Sequence, residues 1–176
     1  MTAREDLMQF YARTQQYWTA NENGQKSPSR FVLDIAYSTS QILLHRPFLR
    51  EFSPVTARIA TEATATASLE VARSVALFRK SYSFANAPAF VLFHLLRAAI
   101  AQLFICLLRP SSGRRQPSVT LKVCLVALEE MYSTWPTRAA QAIHLVREVA
   151  ARWKVTWALP MHHSNAMMDG NRLTPS

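Results

Sequence analysis

The sequence predicts an all-α fold: an irregular bundle of about six helices around an apolar central helix. Only three of the 176 residues are glycine, whereas a β-rich fold needs many tight turns in which glycine is favoured. Apolar residues recur along most of the chain at intervals of three and four, the spacing of one helical face. Hydrophobic residues make up 49% of the chain, enough for a substantial core. We predict a helical domain over residues 1–157 and a flexible tail over residues 158–176.

The first predicted helix covers residues 3–20 and ends in a polar loop, where Gly24 and Pro28 interrupt the periodicity. Its apolar contact area is expected from Leu7, Phe10, Tyr11, Tyr17 and Trp18. Ser29 is the expected N-cap of the second helix, because serine side chains accept hydrogen bonds from the first free amides.

The second helix is predicted to end near Leu44 or His45, because Pro47 follows. Proline has no amide hydrogen and disfavours the helical conformation in the residue before it. His45 and Arg46 are typical of a helix C-terminus, where they cap carbonyl groups and favour the negative end of the dipole. Phe48 is expected to be a buried anchor beneath the turn, so its replacement by alanine would cost about 3–5 kcal/mol.

The third helix is predicted to start at Ser53 and Pro54, a capping residue followed by proline at the first helical position. It runs to about Lys80 and is rich in alanine and threonine, which favours close packing of neighbouring helices. The stripe expected to face the interior consists of Ile59, Ala63, Thr66, Leu69, Ala72, Val75, Ala76 and Leu77.

The fourth helix, from Ala89 to Arg109, is apolar around nearly its whole circumference and is predicted to be the central one. His94 and Arg97 interrupt it and are the candidate polar groups of a cavity, unless the arginine reaches the surface along its aliphatic stem. We expect no membrane span, because an arginine at the centre of one costs about 2.5–3.5 kcal/mol even on permissive scales.

The fifth helix is expected to be capped by Ser118, and the sixth to begin at Pro136 after a basic connection over residues 110–117. The predicted inner face of the fifth helix consists of Leu121, Cys124, Leu125, Leu128, Met131 and Tyr132. The predicted stripe of the sixth, the clearest in the chain, consists of Ala139, Ala142, Ile143, Val146, Val149, Ala150 and Trp153.

Charge and cysteine content narrow the classes of partner and cofactor. The formal net charge of +9 suggests affinity for nucleic acid, an anionic lipid surface or an acidic protein segment, without choosing among them. Cys106 and Cys124 are the only two cysteines and both lie in apolar helical runs, as buried free thiols do. They form neither a zinc site nor a disulfide framework, which fits a reducing compartment.

The order of these features resembles a known family. A Leu44-His45-Arg46-Pro47-Phe48 run is followed by an alanine-rich helix, a long apolar helix, Cys124-Leu125, Trp135 and Ala139-Ala140. This order is similar to the C-terminal half of the regulatory, or middle homology, domain of fungal-specific transcription factors, an all-helical region of zinc binuclear-cluster proteins. The resemblance covers roughly residues 5–155, and the Leu-Leu-His-Arg-Pro-Phe run is its most distinctive part.

The resemblance implies a nuclear protein, with three departures from the family. One is that family members usually carry a cysteine near the start of the third helix, whereas Val55 to Ala60 contains none. Family members carry a six-cysteine zinc cluster that enters the DNA major groove, and Cys106 and Cys124 cannot supply it. We therefore expect no cofactor in this chain, zinc belonging only to a missing N-terminal cluster, and no sequence-specific DNA binding. The first half of the family domain is also missing. The chain is thus expected to be a truncated or partial member, with protein partners or the missing part of a longer transcription factor.

The expected function is that of a non-enzymatic regulatory domain, which modulates transcription through partner or effector contacts. The alternative is a small membrane-associated basic protein that uses the apolar helix over residues 86–109. An enzyme is disfavoured, because His45, His94 and the pair Glu129-Glu130 form no catalytic constellation. Adjacent residues of a helix point to different sides, so the two glutamates cannot act together.

Overall fold

The computed structural model describes residues 3–16, 27–108 and 118–160, and all regular secondary structure in these residues is helical. The α-helices are α1 (Ala3–Gln16), α2 (Pro28–His45), α3 (Pro54–Ser81), α4 (Phe90–Leu108), α5 (Val119–Met131) and α6 (Pro136–Arg152). Short 3-10 helices lie at Arg46–Arg50, Phe84–Asn86 and Thr156–Ala158. The predicted all-α class with six irregularly packed helices is confirmed.

The chain divides into two compact units, Met1–Ser83 and Phe84–Ser176. We refer to them as unit 1 and unit 2. The prediction of one helical domain over residues 1–157 stays a prediction. Tyr17 and Trp18, the connection over residues 110–117 and most of the predicted tail lie outside the described residues.

Unit 1 is built on α2 and α3, which pack along each other, while α1 contacts α2. The ring of Phe31 on α2 meets that of Phe78 on α3 edge to face, with centroids 5.8 Å apart. The N-cap of α2 is Ser27, whose Oγ accepts from the Arg30 amide at 3.3 Å. The prediction of Ser29 was wrong because Pro28 already occupies the first helical turn, which places the cap before it. Phe10, an expected contact of α1, is instead 61% exposed.

The buried face of α3 differs from the predicted one. Ile59, Thr66, Leu69 and Leu77 were expected inside but are exposed. The buried residues are Ala60, Thr64, Ala67, Ser68, Val71, Ala72, Val75 and Phe78. Small side chains cover this face over most of its length, so α2 can approach closely, and close packing outweighs the larger area of the rejected stripe.

The turn after α2 confirms the position of the helix end and corrects the role of Phe48. The α-helix stops at His45, as Pro47 predicts, and the chain continues as the 3-10 helix Arg46–Arg50, which packs against α2 and α3. Phe48 is 43% exposed, whereas Leu49 is half-buried. In the tighter 3-10 turn it is Leu49 that turns inward. Because Phe48 keeps much of its contact with water, the cost expected for a buried aromatic does not apply to it.

In unit 2, α4 packs against both α5 and α6, and these two also pack against each other. Ser118 caps α5 as predicted, its Oγ accepting from the Leu121 amide at 3.3 Å. Tyr132 was expected on the inner face of α5 but is 53% exposed, because α5 ends one residue before it. The other five residues predicted for that face are buried. Both cysteines are buried free thiols, as predicted.

The stripe predicted for α6 is confirmed at its centre. Its buried residues are Ala139, Ala142, Ile143, Val146 and Ala150, while Val149 and Trp153 are half-buried. Two hydrogen bonds attach the corner before α6 to the segment before α4. The Thr134 hydroxyl donates to the Ala85 carbonyl oxygen, and the indole N–H of Trp135 donates to that of Ala87 at 3.1 Å. These bonds hold the start of α6 to the segment before α4, within unit 2.

Candidate functional site

The Leu44 to Phe48 run, which carries the family resemblance, splits into a buried and an exposed half. His45 is only 8% exposed, and its Nδ1 donates to the Gln41 carbonyl oxygen at 2.8 Å. Its ring therefore caps the last turn of α2, as expected of a helix C-terminus. Leu44 is half-buried, whereas Arg46, Pro47 and Phe48 are exposed. Within this run, therefore, Arg46, Pro47 and Phe48 are the residues accessible to another molecule.

The exposed half is followed in the chain by further exposed apolar side chains, of which the sequence pattern had pointed only to Ile59, and to that as an interior residue. Phe52 lies between the 3-10 helix and α3 and is fully exposed, at 103% of its reference area. Val55 and Ile59, one turn apart at the start of α3, are 60% and 48% exposed. We define the Phe52 surface as Arg46, Phe48, Arg50, Phe52, Val55 and Ile59. The sequence signal for this surface is Phe52 itself, a large aromatic residue between Glu51 and Ser53 that belongs to no buried helical face.

The candidate polar groups His94 and Arg97 lie one turn apart on α4, among aromatic rings. The His94 ring meets those of Phe90 and Phe93 edge to face, with centroids 6.0 and 5.5 Å away. Burial lowers the pKa of His94 from its usual 6.5, because the charged form loses hydration. The Arg97 guanidinium lies 4.9 Å from the centroid of the Phe93 ring, a cation–π geometry.

Both residues keep a buried nitrogen without a hydrogen bond to any described residue: Nδ1 of His94 and Nε of Arg97. The Arg97 guanidinium forms no ion pair with a carboxylate among the described residues. Its contact with the face of the Phe93 ring offsets part of the cost of burying the charge. These two side chains are thus half-buried polar groups on an apolar helix. Their proposed role in a polar cavity stays a prediction.

A buried charged cluster in unit 1 was missed in the sequence. The Arg30 Nε and an oxygen of Asp34 are 3.0 Å apart, and the side chains are 13% and 9% exposed. The Tyr11 hydroxyl donates to the same carboxylate at 2.5 Å, and its ring stacks on Tyr37 with centroids 3.8 Å apart. The spacing of Arg30 and Asp34, one helical turn, was the available signal. The Asp34 carboxylate, which is paired with Arg30 on α2 and accepts from Tyr11 on α1, thus connects α1 to α2.

Groups that could support catalysis or bind a metal are not brought together in the described parts of the chain. Glu129 and Glu130 are half-buried neighbours on α5. No group of three or more metal-binding side chains occurs among the described residues. Complete burial raises the pKa of the Cys124 thiol to about 12, so it stays protonated and a poor nucleophile.

One described helix, α4, is long and apolar enough to cross a membrane, and half of its residues are buried inside the protein. Such burial is typical of the core helix of a water-soluble fold and is consistent with the predicted absence of a span. This helix also has four exposed apolar residues, namely Phe90, Phe93, Leu107 and Leu108.

The positive charge is distributed unevenly between the two units. Unit 2 carries ten basic and four acidic residues, and unit 1 carries ten basic and seven acidic residues. Most of the excess positive charge therefore belongs to unit 2.

Comparison with protein-family models, with curated proteins and with solved structures finds no match for this chain.

Proposed function

We propose that this chain is a non-enzymatic regulatory domain of a fungal transcription factor, which acts in the nucleus through contacts with proteins or an effector. It has no zinc cluster of its own and does not read DNA sequence. The proposal rests on the resemblance of the helix order and of the Leu44 to Phe48 run. It is an inference from the sequence, and the all-helical fold is compatible with it.

The observation that carries the proposal furthest is the exposure of the second half of that run. Arg46, Pro47 and Phe48 are accessible at the surface of unit 1, and Phe52 follows them. A run that only ended a helix would need Pro47 and a capping residue. The additional exposed arginine and phenylalanine are of the types enriched at protein interfaces.

A tethered reporter assay tests the proposal. The full chain is fused to a heterologous DNA-binding domain and activation region in a fungal host, and reporter output is compared with that of the fusion lacking the chain. We expect the chain to change the output, and the Phe48→Ser variant to weaken the change. Unchanged output with a stably expressed nuclear fusion would contradict a regulatory role.

A second candidate, a membrane-associated basic protein, is favoured by one observation. Helix α4 has the length and composition of a membrane segment and exposes Phe90, Phe93, Leu107 and Leu108. Flotation with anionic liposomes separates the two candidates. Flotation that persists at high salt, where surface charges are screened, supports insertion of apolar residues and argues against the regulatory role.

A further inference from the structure

The Phe52 surface of unit 1 combines four exposed apolar side chains with two exposed arginines that form no ion pair with a described residue. We propose that it is a docking site for an acidic amphipathic helix of a protein partner. The inference rests on the proposed function only in that the chain acts through protein contacts. It adds the place of contact and the chemistry of the partner.

Exposed apolar side chains recur at short intervals along the Phe52 surface. Four large hydrophobic residues, Phe48, Phe52, Val55 and Ile59, are exposed within one stretch of the chain. Val55 and Ile59 share one face of α3, because residues four apart in a helix are neighbours. Single exposed apolar residues are normal, but a cluster of them marks an interaction site. An amphipathic helix that places its apolar face on such a cluster removes both surfaces from water.

The charges of the Phe52 surface favour an acidic partner. Arg46 and Arg50 are exposed and form no ion pair with a described residue, whereas Arg58 is paired with Glu62 at 3.0 Å. Glu51 is the single acidic residue between positions 46 and 59. The first turn of α3 has no acidic residue either. The positive end of the α3 helix dipole therefore adds to the charge of the arginines, although Ser53 already caps the Thr56 amide at 3.4 Å.

Other anionic partners fit less well. Binding to a nucleic acid backbone draws on many lysines and arginines, and the Phe52 surface offers two that are unpaired. Helices that lie on membranes carry basic residues along the polar face. The charged residues of α3 are instead of both signs and partly paired, as in Arg73 with Glu70 at 3.1 Å. A protein helix with leucines on one face and glutamates beside them satisfies both halves of the surface.

Fluorescence anisotropy with the full chain tests the proposal. The probe is a labelled synthetic peptide of about 20 residues, long enough to form a helix, with leucines at helical spacing and glutamates elsewhere. We expect saturable binding that weakens as salt screens the charges. The Phe52→Ala variant should bind about tenfold more weakly, as at an interface hot spot. Leu69→Ala is the matched control, because Leu69 is 54% exposed further along α3.

A charge exchange provides the second arm. The double variant Arg46→Glu, Arg50→Glu should lose affinity for the glutamate peptide and gain it for a peptide with lysines in place of the glutamates. Circular dichroism of each variant should match that of the original chain, because all the substituted side chains are exposed. Recovery of binding by the exchanged pair identifies a direct electrostatic contact.

Three results overturn the proposal. The first is absence of saturable peptide binding, and the second is an equal effect of Phe52→Ala and Leu69→Ala. The third is tighter, Phe52-dependent binding to a single-stranded oligonucleotide or to anionic vesicles, which assigns the surface to those partners. The proposed function and the docking site can fail independently. If the chain does not change reporter output but the peptide binds, the transcriptional role is wrong and the docking site is retained. If the chain changes reporter output but the peptide does not bind, the docking site is wrong and the transcriptional role is retained.

Discussion

The two compact units of the chain bury their helices with different chemistry. Unit 1 contains most of the buried polar residues among those described, namely Asp34, Ser38, Thr39, His45, Thr64 and Ser68. Unit 2 contains most of the large, fully buried apolar side chains, namely Phe84, Val91, Leu95, Leu103, Leu121, Leu125, Leu128, Met131 and Leu159. The interior of unit 1 therefore combines polar side chains with small residues in close contact, whereas that of unit 2 consists mainly of large apolar side chains.

This difference has an energetic consequence. A buried leucine truncated to alanine loses about 2–5 kcal/mol, because the transfer energy and a cavity term add. A hydrogen bond contributes a net of about 1 kcal/mol, since water replaces the partner in the unfolded chain. Side-chain hydroxyls on α2 and α3 that bond to their own helix, such as Thr39 to the Ile35 carbonyl at 2.9 Å, hold no two helices together. The polar contact described between two helices of unit 1 is that of Tyr11 on α1 with Asp34 on α2, so polar substitutions in this unit should be most costly there.

The largest effect is expected in the apolar core of unit 2. Replacing Leu125 on α5, which is fully buried, by alanine should lower the free energy of unfolding by about 3 kcal/mol. Urea denaturation followed by circular dichroism measures the change. Val119→Ala on the same helix is the control, because Val119 is 75% exposed and its loss should be small. If the two variants lost similar amounts of unfolding free energy, the stability of unit 2 would not depend on its buried apolar side chains.

The next effect is expected at the buried cluster of unit 1. Asp34→Ala leaves Arg30 and the Tyr11 hydroxyl without their common partner and should cost about 2 kcal/mol. Tyr11→Phe removes one of these bonds and should cost about 1 kcal/mol. Both are measured in the same urea series. If Tyr11→Phe costs as much as Asp34→Ala, the ion pair with Arg30 adds nothing.

A gain in stability is expected at Thr64, which is fully buried on α3 and whose Oγ1 bonds to no described residue. Thr64→Val removes the uncompensated hydroxyl and should stabilise the chain by about 1 kcal/mol. Thr66→Val is the matched control, since Thr66 is exposed and its hydroxyl donates to the Glu62 carbonyl oxygen at 3.0 Å. A loss at Thr64 would show that its hydroxyl is satisfied after all.

The smallest effect is a dependence of stability on pH from His94. Its pKa in the folded chain lies below the 6.5 of the unfolded chain, because burial disfavours the charged ring. The unfolded state therefore binds more protons as the pH falls through 6.5, and stability decreases until the folded pKa is passed. Thermal melts between pH 8 and pH 5 should fall less for His94→Gln than for the original chain. Parallel curves would indicate a ring that remains hydrated.

The comparison also explains which sequence predictions held. In α6 the charged residues occupy one side and leave a single possible interior stripe, so its inner face followed from periodicity. In α3 the alanines and threonines allow two stripes of similar hydrophobicity. The choice between them depended on which face α2 could approach, a fact that the sequence of α3 does not contain. Tyr132 and Phe48 were misplaced for a related reason: each lies just beyond a helix end, where helical periodicity no longer fixes direction.

The candidate site shows the same division. Pro47 determined where α2 ends, and Ser53, Ser118 and Pro136 determined where three helices begin, because caps and prolines act through local backbone chemistry. Only the tertiary structure decided that Phe48 and Phe52 face solvent and that Asp34 is buried with Tyr11. Exposure and long-range pairing depend on which surfaces other helices cover. The sequence by itself therefore determined the fold class and most helix boundaries, and packing decided which side chains remain free to bind a partner.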